Sequence, residues 1–307
     1  MPHPAGATFS TTDPTGQTVP LLQNILPDLG KRTLIMGVLN VTPDSFSDGG
    51  QFVSIDSAVE RARQMQREGA DLLDIGGEST RPGAVPVSED EESRRVLPVI
   101  TRIAAEVGLP ISLDTTKARV ARAGIAAGAA ILNDISAGTM DREMLAVAAE
   151  REIPIALMHL PVPPAQMGWS QAAALKEEAS DTDVIETVVA FLRERVAAAR
   201  TAGIALENIM IDPGFGFGKS VPQNLELLRR LSEIKRRLGG LPLLLGTSRK
   251  STIARLLGPA RDAEDPQRVA GTAATIALGI AQGADIVRVH DVGFMARVAR
   301  ISDAITR

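Results

Sequence analysis

Short apolar runs alternate with longer helical patterns through most of the chain. Four stretches repeat one motif: Glu68-Gly-Ala-Asp-Leu-Leu-Asp-Ile75, Ala127-Gly-Ala-Ala-Ile-Leu-Asn-Asp134, Ala202-Gly-Ile-Ala-Leu-Glu-Asn-Ile-Met-Ile-Asp212 and Gln282-Gly-Ala-Asp-Ile-Val-Arg-Val289. Each reads as a helix-ending glycine in a left-handed cap, followed by a strand. Gly69, Gly128, Gly203 and Gly283 are separated by 59, 75 and 80 residues, and each gap fits two βα units. Pro110–Asp114, Pro154–Met158 and Pro242–Gly246 supply intervening strands entered through proline, which suits a first strand position. Thr33–Leu39 makes the first strand, and helical sequence follows at Asp56–Glu68, Glu89–Val107, Thr182–Thr201 and Pro222–Leu238. Eight such units predict an α/β fold, a (β/α)8 TIM barrel with parallel strands over residues 31–307. The rival is an open doubly wound sheet. It usually carries Gly-x-Gly-x-x-Gly after its first strand, where this chain has Asn40-Val-Thr-Pro. Residues 1–30 read as an N-terminal extension, loosely ordered in part, with Thr11-Thr-Asp-Pro-Thr-Gly16 typical of it.

In a barrel of this kind the chemistry belongs at the C-terminal strand ends. All eight ends carry polar groups: Asn40, Asp74 with the Gly-rich run after it, Asp114, Asn133-Asp134, His159, Asp212, Gly246-Thr-Ser-Arg-Lys-Ser251 and Arg288-Val-His290-Asp291. A single Asp or Asn there is most often a turn former or helix cap. Eight convergent ends point instead to a site. Asp114, Asn133 and Asp212 suit a flat heterocycle with amino and ring N–H groups. Thr80, Arg81, Arg288 and His290, with the helix start after Ser248-Arg-Lys-Ser251, suit a polyanion. Lys250 serves either group.

Composition narrows the class. The chain has 307 residues, net charge −4 and no cysteine, which excludes disulfides and thiolate metal sites. His3, His159 and His290 are too dispersed for a His-x-x-x-His site, and no basic block suits nucleic acid. No apolar run is long enough to span a membrane, and a cytoplasmic location is expected. Pro213-Gly-Phe-Gly-Phe-Gly-Lys-Ser220 mimics a P-loop ending, but Pro213 stands where that motif needs glycine. Asn40-Val-Thr matches a glycosylation sequon with nothing to suggest secretion.

Five long motifs together resemble the dihydropteroate synthase family of the folate pathway, the sulfonamide targets. They are Met36–Gly50, Asp74–Gly83, Asp212–Lys219, Ser248–Ser251 and Asp285–Val292. The resemblance spans about residues 33–300 and implies a TIM barrel. It implies that (7,8-dihydropterin-6-yl)methyl diphosphate reacts with 4-aminobenzoate to give 7,8-dihydropteroate and pyrophosphate. It would place the pterin on Asp114, Asn133, Asp212 and Lys250, and the diphosphate on Thr80, Arg81, Arg288 and His290. Asn40 would contact Mg2+, with diphosphate and water as the other ligands. Phe46, Pro82, Phe217, Lys250 and Ser251 would line the aminobenzoate slot. The family is usually a homodimer. Asn40, Arg81, Asp114, Asp212 and Lys250 are the expected catalytic set. Two departures stand out: Leu160–Trp169 replaces a loop that usually contains Gly-Thr-Pro, and Thr116 stands where tyrosine is frequent.

The expected chemistry is C–O cleavage at the pterin methylene, then attack by the arylamine. Departure of pyrophosphate needs positive charge already in place, from Mg2+, Arg81, Arg288 and His290. Lys219 is expected to pin its loop, Asp44 and Asp48 to organise the first loop, and Asn40–Gly50 to close as a lid. His159 is balanced between a packed, hydrogen-bonded histidine and a pocket wall. Two rivals are a pterin-dependent methyltransferase on a related barrel and a non-catalytic pterin-binding paralogue. The first has no use for the Asn40–Gly50 and Thr80-Arg81 loops, and the second should have lost one of Asn40, Arg81, Asp212, Lys250 or His290.

Overall fold

A computed structural model of the chain describes residues 21–41, 51–80, 84–163, 183–258 and 265–307, with backbone only at 51–54. Eight parallel strands form one sheet: β1 (Leu34–Asn40), β2 (Leu72–Gly76), β3 (Ile111–Asp114), β4 (Ile131–Asp134), β5 (Ile155–Met158), β6 (Ile209–Asp212), β7 (Leu244–Leu245) and β8 (Ile286–Val289). Their order is β6-β5-β4-β3-β2-β1-β8-β7. A parallel bridge between Ile211 and Leu243 joins the two outer strands, so the sheet closes on itself as a TIM barrel.

Helices alternate with the strands outside it: α2 (Gln51–Glu68), α3 (Glu89–Glu106), α4 (Ala118–Ala127), α5 (Met144–Glu150), α6 (Val184–Thr201), α7 (Val221–Arg229), α8 (Leu231–Arg237), α9 (Ser251–Leu257), α10 (Pro266–Ala281) and α11 (Val292–Thr306). The expected helix over 222–238 is two pieces, because Arg230 leaves helical geometry at φ −114°, ψ 25°. The four motif glycines all adopt positive φ, between 93° and 119°, where a Cβ would be strained.

Alternation along the strands assigns the faces. Outward residues such as Ile35, Leu73, Leu113, Leu132, Leu157, Ile211 and Val287 pack in the large core cluster with the helices. Inward residues at the lower end of the barrel form a second apolar cluster: Leu34, Met36, Leu72, Ile131, Ala156, Met210, Leu244 and Ile286. A short helix, α1 (Leu21–Ile25), plugs this end by burying Leu22, Ile25, Leu26 and Leu29 against it. The Leu22 N–H donates to Asn208 Oδ1 at 3.1 Å. Residues 21–29 of the expected extension therefore form the barrel's floor. Residues 1–20 lie outside the described residues.

Candidate active site

One pleat above the apolar floor the inward row turns polar. Two residues beyond Leu72, Ile131, Met210 and Ile286 stand Asp74, Asn133, Asp212 and Arg288, and Ser112 and Asp114 face the same way from β3. Register brings them level: Asp74 pairs with Ser112, Asp114 with Asn133, and Met158 with Asp212.

Arg288 organises the group. Its Nε donates to Asp74 Oδ2 at 2.6 Å and its Nη2 to Asp114 Oδ2 at 2.8 Å. Asp74 also accepts from Ser112 Oγ at 2.6 Å and Asn133 Nδ2 at 3.1 Å, so this buried carboxylate is fully engaged. Burial, with the charge of Asp74, pushes Asp114 up to about 7 against the pull of Arg288. Burial opposes the charge on Arg288, and Asp74 and Asp114 more than restore it, leaving that pKa above its ordinary value.

Asp212 ends β6 and its Oδ1 accepts the Gly214 N–H at 2.7 Å. Burial raises it to about 6, against the Gly214 N–H and the charge of Lys250. The loop that follows turns on glycines. A Cβ on Gly214 would lie 2.1 Å from the His159 carbonyl oxygen, and one on Gly216 would lie 2.9 Å from Lys250 Cδ. Lys219 Nζ donates to the carbonyls of Gly214 at 2.8 Å and Phe217 at 3.1 Å, so it pins this loop as expected. Asn224 locks the loop further, accepting the Gly216 N–H at 2.7 Å and donating to Thr252 Oγ1 at 3.1 Å.

Lys250 precedes α9, and its Nζ sits 3.6 Å above the centre of the Phe217 ring, a cation–π contact. Burial lowers Lys250 to about 7, helped by Arg288 and opposed by Asp212 and Asp114. Its neighbour Arg249 takes φ 58°, a left-handed conformation that is costly for a side-chain residue. Arg249 Nη2 and Nε bind Asp291 at 2.6 and 3.1 Å, which holds that turn. Ser251 is exposed at the first position of α9.

His290 follows β8 with Nδ1 3.0 Å from Ser248 Oγ. Burial, then the charges of Arg288 and Arg249, hold it down to about 3. It is therefore neutral near pH 7 in this structure and offers a ring nitrogen, not the positive charge expected of it. His159 lies edge-on to Phe191 of α6 at 5.0 Å, buried on the helix side, which favours packing over a pocket wall, but its Nδ1 has no hydrogen-bond partner among the described residues. Asp134 accepts from Ser136 N, Ser136 Oγ and Gly138 N, and so caps its own turn.

Thr80 and Asp114 line one cavity of about 400 Å³. Asn40 is exposed at the end of β1, level with Gly76, which is itself level with Asp114. Among the described residues no three His, Cys, Asp or Glu side chains converge on a metal position. Asn40 can contribute one amide oxygen there. Arg81, Phe46, Pro82, Asp44, Asp48 and Trp169 lie outside the described residues, as does most of the 40–50 segment expected to act as a lid.

Asp74 stands at the centre of this group, although its sequence motif implies no substrate contact for it. Its signal was available: Leu72-x-Asp74 repeats the apolar-x-polar step of Ile131-x-Asn133, Met210-x-Asp212 and Ile286-x-Arg288.

Comparison with known proteins agrees with the resemblance. Residues 36–290 match the family described as pterin binding enzyme. A dihydropteroate synthase from Synechocystis sp. is 48% identical over 296 residues, covering 96% of this chain and 95% of the relative. The Xanthomonas albilineans dihydropteroate synthase solved with 4-aminobenzoic acid superposes with a TM-score of 0.79 at 44% identity, covering 89% of this chain and 93% of the other. The same enzyme in complex with 7,8-dihydropteroate gives a TM-score of 0.77 at 42% identity, covering 89% and 94%.

Proposed function

The chain belongs to the dihydropteroate synthases of the pterin binding enzyme family, transferases of folate biosynthesis, and on that premise we propose how its own residues divide the work. The pterin ring lies on Asp114, Asn133, Asp212 and Lys250. The reading rests on one observation above all: Asp114, Arg288 and the buried Asp74 form a continuous ion-paired chain at the strand ends, and the charges of Asp212 and Asp114 act on Lys250 beside it. A group of acceptors and donors held this tightly suits a planar ring with several N–H groups.

The diphosphate takes Thr80, Arg81, Arg288 and His290. Arg288 is then shared. It orients Asp114 toward the ring while its charge favours pyrophosphate as a leaving group. His290 contributes a ring N–H, with Ser248 fixing its other nitrogen. Asn40 would help hold Mg2+, which when bound would add positive charge that favours pyrophosphate as a leaving group. The single oxygen of Asn40, with no acidic trio nearby among the described residues, fits an ion held mainly by the diphosphate and water.

Ionisation comes first. The C–O bond of the pterin methylene breaks, both its electrons leave with pyrophosphate, and the electron-rich ring carries the positive charge. Asp114 and Asp212 stabilise that charge when deprotonated. The arylamine nitrogen then bonds to the methylene carbon and releases one proton to solvent. Phe46, Pro82, Phe217, Lys250 and Ser251 line its slot, and the cation–π contact between Lys250 and Phe217 supports joining the ring site to the aminobenzoate site. The family resemblance supports a homodimer. Exposed Phe294, Ile301 and Ile305 fall on one stripe of α11, which suits a partner surface. No described helix is long and apolar enough to cross a membrane, which is compatible with a cytoplasmic location.

The test is a coupled pyrophosphate-release assay. Steady release that requires the pterin diphosphate, Mg2+ and 4-aminobenzoate together is expected. Absence of release with all three would overturn the reading.

A further inference from the structure

Lys117 lies three residues beyond Asp114, and its side chain crosses to two other elements. Its Nζ donates to Glu78 Oε2 at 2.5 Å and to Glu92 Oε2 at 2.6 Å. Glu78 opens the loop after β2, and its Oε1 accepts the Val87 N–H at 3.1 Å. One carboxylate thus ties the two ends of that loop together and hands them to Lys117. Arg95 of α3 adds a third tie, donating to the Gly77 carbonyl at 2.9 Å. Glu92, also on α3, is fully buried, and its Oε1 has no hydrogen-bond partner among the described residues. Lys117 therefore supplies the charge that makes a buried Glu92 tolerable. Burial works against the Lys117 ammonium, but its bonds to Glu78 and Glu92 outweigh it and keep its pKa above the ordinary lysine value.

Glu78, Lys117 and Glu92 line the same cavity as Thr80 and Asp114. Thr80 is two residues from Glu78, and Asp114 three from Lys117. The Glu78–Lys117 ion pair is thus a short cross-link between the strand end that carries Asp114 and the loop that carries Thr80. We propose that Lys117, acting through Glu78, is a positioning residue that sets the placement of the diphosphate contact Thr80 relative to the pterin contact Asp114. This rests on the assignment of Thr80 and Asp114 given above. Neither Lys117 nor Glu78 touches substrate in this reading.

The test compares Glu78→Ala, Lys117→Arg, Lys117→Met/Glu92→Gln and Thr80→Val with the parent by calorimetry. The probes are pyrophosphate with Mg2+, and 6-hydroxymethyl-7,8-dihydropterin alone. The double variant removes the buried charge of Glu92 together with its partner, so it folds where Lys117→Met alone is strained by an unpaired carboxylate. Loss of one charge-assisted hydrogen bond predicts pyrophosphate binding weaker by about tenfold in Glu78→Ala and in the double variant. Binding of the dihydropterin stays at the parent value in both, and Lys117→Arg retains pyrophosphate binding. KM for the diphosphate substrate rises while KM for 4-aminobenzoate does not. Equal loss for both probes would mark a scaffold role and overturn the proposal. Weakened pyrophosphate binding in Thr80→Val with none in Glu78→Ala would overturn the positioning alone. Unchanged binding in Thr80→Val would overturn the anion assignment and the proposal with it.

Discussion

Arg288 reaches from β8 to Asp74 of β2 with Nε 2.6 Å from Oδ2, and the two share the centre of the polar layer. The pair lies above an apolar floor, so its strength depends on both charges being present. Replacing Arg288 by Met leaves Asp74 buried with only the Ser112 and Asn133 donors. Breaking a buried pair in this way costs about 3 kcal/mol or more. Urea unfolding should show Arg288→Met unfolding well below the parent, and Asp74→Asn/Arg288→Met recovering much of the loss. A double variant no more stable than Arg288→Met would show that the two charges are not coupled.

Asp212 has two jobs, which a single substitution confuses. Its Oδ1 holds the Gly214 N–H, and its charge faces the proposed pterin. Asp212→Ala removes both, so it disturbs the loop as well as the ring site. Asp212→Asn keeps an oxygen acceptor and removes only the charge. Dihydropterin binding should fall in both variants, while slow exchange of the Gly214 amide survives only in Asp212→Asn. Fast exchange in both would mean that the side-chain oxygen does not hold the loop.

The same residue fixes a pH dependence. Its folded pKa is raised to about 6, above the ordinary aspartate value of 3.8. Between those values the folded state keeps a proton that the unfolded state has released. The parent therefore loses stability as pH rises from 4 to 6. Asp212→Asn lacks that loss. Its stability relative to the parent should climb across this window and level off above it, as read from urea midpoints. A constant difference from pH 4 to 8 would contradict the raised value.

Much of this was legible in the sequence because it is periodic. The strand-helix rhythm, the left-handed glycines and the strand-end polar residues follow from local rules that need no partner. Lys219 pinning its own loop was legible for the same reason. What the sequence hid was pairing across the lumen. Arg288 and Asp114 come from β8 and β3, and it is the pairing of the last strand with the first, β8 with β1, that brings guanidinium to carboxylate. The neutral state of His290 was hidden too, since burial and the cations Arg288 and Arg249 act on it from other positions in the fold. The break at Arg230 has no proline or glycine to announce it.

His290 should behave as a neutral donor in the free protein. With its pKa held to about 3, its ring nitrogens should show no titration between pH 5 and 8 by nitrogen NMR. His290→Gln, which keeps a neutral N–H, should retain more pyrophosphate affinity than Arg288→Met. A titration midpoint near the ordinary histidine value would restore His290 as a charge on the anion.

Gly216 is where the loop after β6 meets Lys250. Its φ is +80°, and a Cβ there would lie 2.9 Å from Lys250 Cδ and 3.2 Å from Cγ. Gly240 has nearly the same φ, +77°, with nothing within 4 Å of such a Cβ. Alanine at either position carries a similar backbone cost, about 1 kcal/mol. Only at Gly216 does it also push the Lys250 stem away from the Phe217 ring. Gly216→Ala and Gly240→Ala should therefore share a small drop in melting temperature, while turnover falls in Gly216→Ala alone. Because Lys250 lies over Phe217, the loss should include a higher KM for 4-aminobenzoate. Equal turnover in the two variants would show that the Lys250 stem yields to the methyl group without cost to the reaction, and that the close packing of Gly216 against Lys250 is not required for it.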